Sequence, residues 1–169
     1  LAPGAYRMAL SGAVEGDVAP RRADAPCNLS DFEMDGMEGA TNTGGPWSLS
    51  LSLGAAKWQG KTVGGSLSLG LPAGIGPGQH ALGPTSADDK PSAYLWLGVR
   101  DAGPNAPQPA TYTSEGGGSL TLTRRDQTAI SGEVDITFIS RDDPTDTITL
   151  TAAFNEIPYD VGPEVALVE

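Results

Sequence analysis

The chain has 169 residues, enough for one domain that buries roughly two-thirds of the surface its unfolded form would expose. A formal net charge of -11 leaves no basic stripe to neutralise phosphates, so nucleic acid is set aside as a partner and an anionic membrane surface would repel the chain. With 18% charged residues, 23 Gly and 14 Pro it reads as folded but rich in turns, and no apolar run approaches the roughly 18 residues of a membrane-spanning helix.

The first residue is Leu1 and not Met, which we read as the removal of an upstream segment, a secretion signal being the favoured one. Tyr6, Met8, Leu10 and Val14 then fall on one face of a strand, with Gly12 in line where a bulge or close approach would fit. EGDVAPRRADAPCN, residues 15 to 28, is expected to be a loop. It contains Cys27, the single cysteine, so no intramolecular disulfide forms, and with His80 the single histidine no Cys/His spacing suits zinc.

The stretch SDFEMDGMEG at 30 to 39 alternates Asp31, Glu33 and Asp35 with Phe32 and Met34. Asp31, Glu33, Asp35 and Gly36 match the opening of an EF-hand-type calcium loop, but position 12 of that loop is Asn42 and not the closing Glu. A strand over 30 to 35, with acids outward about 6.6 Å apart, explains the same letters. Calcium binding at Asp31, Glu33 and Asp35 is therefore expected only if acids from a second loop complete the cage, such as Asp142, Asp143 and Asp146, or Asp88 and Asp89.

PWSLSLSLG puts Trp47, Leu49, Leu51 and Leu53 on one face and serines on the other, and GGSLSLGL repeats the scheme with Leu67, Leu69 and Leu71. A helix would scatter these leucines around its circumference, and each interior glycine would cost it about 1 kcal/mol relative to Ala. Further strands are expected over 56 to 63 and over 92 to 99, the latter (SAYLWLGV) apolar on both faces and so a central strand. Trp47 and Trp96 are assigned to the core, while Trp58, in AAKWQGK, and then Tyr112 are the candidate exposed aromatics for stacking on a sugar ring. Residues 72 to 91 and 100 to 110 are read as long loops, and His80, without a G-x-S-x-G elbow elsewhere, as a loop histidine.

GSLTLT, ISGEVDITF and TITLTAAFNEI close the chain as a three-strand antiparallel meander whose second connection, SRDDPTD, has the composition of a surface loop. The whole is expected to be one all-β domain over 1 to 169, an antiparallel β-sandwich of jelly-roll or Ig-like type with eight or nine short strands, with a closed β-barrel as the alternative.

The run of a Gly-Ser-rich turn, GSLTLT, ISGEVDITF and TITLTAAFNEIPY, with PGQHALG at 77 to 83 ahead of it, resembles a loosely related group of secreted or lipid-anchored bacterial β domains over about the last 100 residues. The resemblance implies a secreted, periplasmic or outer-envelope location and supplies no activity and no functional residue.

The expected function is that of a non-catalytic structural or accessory subunit of a bacterial extracellular or envelope assembly. It would meet a protein partner, or itself, through loops and strand edges that lack the usual Lys and Pro gatekeepers. The alternative is a carbohydrate-binding module using Trp58 and Tyr112, with calcium as an assisting ion. A carboxylate-based glycoside hydrolase is the third reading, since such pairs are recognised by separation in space and not from sequence. No catalytic residue and no cofactor is assigned.

Overall fold

The computed structural model describes residues 1–22, 47–53, 56–58, 61–72, 74–84, 89–99, 110–126 and 129–158, with the side chains of 14–22, 47, 48, 50, 58, 99 and 158 left undescribed. The expected strand at 30 to 35, Cys27 and the loop at 100 to 109 lie outside the described residues. Among those described, eleven strands form one antiparallel sheet: β1 Ala5–Gly12, β2 Val14–Arg22, β3 Trp47–Ser52, β4 Ala56–Trp58, β5 Lys61–Leu71, β6 Gly78–Ala81, β7 Ser92–Val99, β8 Ala110–Thr113, β9 Gly118–Arg125, β10 Ala129–Ser140 and β11 Thr147–Pro158. No helix among the described residues is long and apolar enough to cross a membrane.

The pairings return on themselves. The order β11-β1-β2-β4-β5-β7-β8-β10 closes through β10 onto β11, so the sheet is wrapped into a barrel-like circuit. Two joins in this circuit are only two residue pairs long, β2 to β4 (Val14↔Trp58, Glu15↔Lys57) and β8 to β10 (Ile139↔Thr113, Ser140↔Tyr112). These pinches divide the ring into two faces of unequal width: a first sheet ordered β2-β1-β11-β10-β9-β6, and a second in which β3 and β4 lie along one edge of β5, followed by β7 and β8. Sandwich and barrel are thus two descriptions of one closed but flattened object.

The period-two pattern decides which residues fill the space between the faces. Leu49, Leu51, Leu53, Leu67, Leu95, Leu97 and Tyr112 from the second sheet meet Ile130, Ile136, Phe138, Ile148 and Leu150 from the first, all fully buried. Each such aliphatic side chain contributes about 1.5–3 kcal/mol by leaving water. The hydroxyl of Tyr6, in β1, crosses between the faces to donate to the Ser52 carbonyl at 2.9 Å. The C-terminal meander forms as expected, β10 pairing with both β9 and β11. The two Leu-Ser strands pair antiparallel with Leu49 opposite Leu69 and Leu51 opposite Leu67.

Three expectations are corrected. Residues 15–22, expected as loop, belong to strand β2, which also takes Val14 from the face expected on β1: β1 presents an open edge, and the proline that argued against a strand sits at an irregularity. Ala19 and Pro20 lie between the pairs Tyr6↔Arg21 and Met8↔Val18, so two residues oppose one and the missing N–H interrupts no regular ladder. The stretch 56 to 63 is not one strand; Trp58 lies opposite Lys61, so the chain reverses between β4 and β5. Within 72 to 91, GQHA forms β6, which adds to the β9 edge.

Candidate functional site

Tyr112, expected as an exposed sugar-stacking aromatic, is fully buried. It lies opposite Leu95 on the inward side of β8, and its hydroxyl donates to Asp146 Oδ2 at 3.0 Å, so its ring faces the core and has no surface to offer a ligand. Trp58 is placed only by its backbone, paired with Val14 and Lys61; its side chain is outside the described residues.

The acidic loop between β10 and β11 is organised as a turn. Asp143 accepts from the Thr145 backbone N–H at 2.9 Å and its hydroxyl at 2.7 Å, while Ser140 Oγ accepts from the amides of Asp142 and Asp143 at 3.3 Å each. The Thr145 hydroxyl, and then its amide, hold the exposed Asp143 carboxyl below the ordinary 3.8. Asp146 takes the Tyr112 hydroxyl on one oxygen, and its other oxygen is buried without a hydrogen-bond partner. No group of three or more His, Cys, Asp or Glu among the described residues is arranged to hold a metal ion. Asp31, Glu33, Asp35 and Asp88 are outside those residues, and Asp89 is exposed.

His80 is on β6, opposite Leu120, and not in a loop; its Nε2 lies 2.9 Å from the Gly76 carbonyl oxygen. Arg124 bridges Asp126 at 2.6 Å and Glu156 at 2.9 Å in a half-exposed cluster, a pairing of small net value in water. Glu156 reaches this position through a bulge: it carries the one positive φ (48°) among described non-glycine residues, and the Ser131 hydroxyl accepts from its N–H at 2.8 Å.

Among the described residues, the large side chain most conspicuously out of place is Trp96. Assigned to the core from sequence, it is 44% exposed. The reason is parity: Ala93, Leu95 and Leu97 of β7 point inward, so Tyr94, Trp96 and Gly98 point out. Cross-strand register then fixes their neighbours. Trp96 stands in a row with Ser66, Ser52 and Thr111; Tyr94 stands beside Ser68 and Thr113; Gly98 faces Gly64; and Ser92 faces Gly70. A Cβ at Gly98 would lie 2.8 Å from Cη2 and 3.2 Å from Cζ2 of Trp96, so the benzo end of the indole folds down over the glycine. Only a residue without a side chain leaves room for it.

The outer faces of the two sheets differ in chemistry. The first carries Arg7, Glu133 and Asp135 among exposed hydroxyls, a solvated charged surface. The second carries Ser, Thr and Gly around Trp96 and Tyr94, with Lys57 at one end, its ammonium donating to Thr62 Oγ1 at 2.8 Å. A low, nearly uncharged surface with one exposed indole suits contact with an uncharged partner. Sequence reasoning missed this site, although the letters of its parts were present: the Ser-Gly face of β5 pairs with β7, whose outer face carries Tyr94 and Trp96. Comparison of the chain with protein-family models, with curated proteins and with solved structures gives no match in any of the three.

Proposed function

We propose that the chain is a non-catalytic binding module of a bacterial extracellular or envelope assembly, and that it makes its contact through the outer face of the β3-β5-β7-β8 sheet. The observation that carries this reading is the exposure of Trp96, at 44%, in the middle of a surface whose other described side chains, apart from Tyr94 and Lys57, are small and neutral. An indole left in water at that extent gains stability when a partner covers it, at about 25 cal/mol per Å² of apolar surface removed. The rest of the molecule is acidic, which keeps copies apart and leaves this neutral face as the place where approach costs least.

Hydroxyl-radical footprinting of the chain, alone and mixed with cell-envelope material from its source, tests the assignment. Protection should concentrate at Trp96 and Tyr94 while Arg7 and the β10 outer face stay reactive; protection confined to other surfaces, or none at all, removes the reading.

Pairing through a strand edge is a second reading with its own observation. Among the described residues β3 pairs on one side only, with β5, and its sequence WSLSLS holds no Lys or Pro to deter a further strand. Slowed amide exchange in β3 on raising protein concentration is its signature, and concentration-independent exchange there rules it out.

A further inference from the structure

We infer that the occupant of the β3-β5-β7-β8 face is an extended, uncharged polysaccharide chain. This rests on the proposal that this face is the binding surface, and it deepens that proposal by naming the ligand class.

Size argues first. Four strands spaced about 4.8 Å apart and eight residues at about 3.4 Å each cover about 500 Å². A stable protein partner takes about 800 Å² on each side, with a core of several large apolar or Arg side chains. Here the described face offers two aromatics and a set of hydroxyls.

Chemistry narrows the class. The face of an indole carries the negative lobe of its quadrupole, and the axial C–H bonds on one side of a pyranose ring present weakly positive hydrogens to it. The indole of Trp96 is folded over Gly98, with Gly64 beside it, so no neighbouring side chain in that row stands above it to obstruct a flat ring. Ser66 and Thr111 beside Trp96, and Ser68 beside Tyr94, place hydroxyls that donate or accept at the edges of such a ring, and Ser52 continues the row one strand beyond Ser66. Tyr94 and Trp96 are two residues apart on one strand, so their Cα atoms are about 6.8 Å apart along β7 and a linear chain laid along the strand passes both. The alternative ligand with flat rings, a single-stranded nucleic acid, needs a positive groove, and the net charge of -11 opposes it and acidic polysaccharides alike.

The test uses the full chain against insoluble cellulose and chitin in pull-downs, and against soluble xylan, mannan and mixed-linkage glucan in affinity gels. Retention by at least one of these is expected, with Trp96→Ala weakening it at least tenfold, the range of an aromatic hot spot. Gly98→Ala is the sharper variant. The atoms its Cβ would meet belong to the far end of the Trp96 side chain, so the fold keeps its Tm within about 4 °C while the indole is pushed off its seat and retention drops. Thr151→Ala, on the outer face of the other sheet, should change nothing. Retention by none of the five polymers, or retention indifferent to both Trp96→Ala and Gly98→Ala, overturns the inference. Should the polymers fail while envelope material still protects Trp96 from hydroxyl radicals, the ligand class falls and the binding face stands; should both fail, the two fall together.

Discussion

Gly12 tests the packing of the first sheet more sharply than any core truncation. Its φ is +105°, and a Cβ there would lie 2.7 Å from the carbonyl oxygen of Thr147, the same oxygen that accepts the Ala13 N–H at 3.2 Å. Replacing Gly12 by Ala therefore imposes a sparsely populated backbone conformation, at about 1–3 kcal/mol, and pushes away the start of β11, loosening a hydrogen bond of about 1 kcal/mol. Together these predict a loss of about 2–4 kcal/mol, or about 4–16 °C in Tm for a chain of this length. Gly4→Ala is the matched control. Its φ is +75° and nothing lies within 4 Å of the added Cβ, so only the left-handed cost of about 1–2 kcal/mol applies. Urea unfolding followed by circular dichroism measures both, with the shift read from midpoints at constant slope. If the two variants differ by less than about 0.5 kcal/mol, Gly12 does not approach Thr147 and the register of β1 on β11 is wrong at that end.

Three further outcomes follow from the interior and the turns. Tyr112→Phe removes a donor from the partly buried Asp146 carboxylate and should cost about 1–3 kcal/mol, with a non-zero coupling to Asp146→Asn in a double-mutant cycle. Leu67→Ala, at a site fully shielded from water between the faces, should cost about 2–5 kcal/mol in the same unfolding assay. Thr145→Val should raise the Asp143 carboxyl toward 3.8, read by carbonyl NMR during an acid titration. Because the folded value is depressed, the stability it carries is present above the unfolded value and disappears as pH falls through the folded one, so Thr145→Val should narrow that acid window.

Where one strand's own letters settle its structure, the sequence was legible. Alternation in SLSLSL and ISGEVDITF needs nothing else to say which side faces the core, and Leu49, Leu51, Val134 and Ile136 are buried as that rule requires. Gly12 was legible for a similar reason, since a glycine in phase with buried residues marks a place where a side chain will not fit. β2 was not legible: Pro20 and the charges of EGDVAPRR suit a loop, and only the open edge of β1 and a bulge at the proline make them a strand. Tyr112 was misplaced because ATYT is too short to show its phase, which pairing with β7 supplies.

The misreading of Trp96 has a deeper cause. A strand apolar on both faces is expected to be covered on both, as in parallel sheets flanked by helices. A ring of antiparallel strands flattened into two faces has only one interior, so a central strand such as β7 is covered on one side by its own fold and on the other by nothing the described chain supplies. Its outer row must then be polar, or it must be used. Tyr94 and Trp96 stand in that row with Ser66 and Ser68 as neighbours, where alternation in β5 and β8 on either side puts Ser, Thr or Gly. Two large rings at positions that the fold could fill with serine do nothing for the core, and that is the physical ground for proposing this face as the surface through which the protein works.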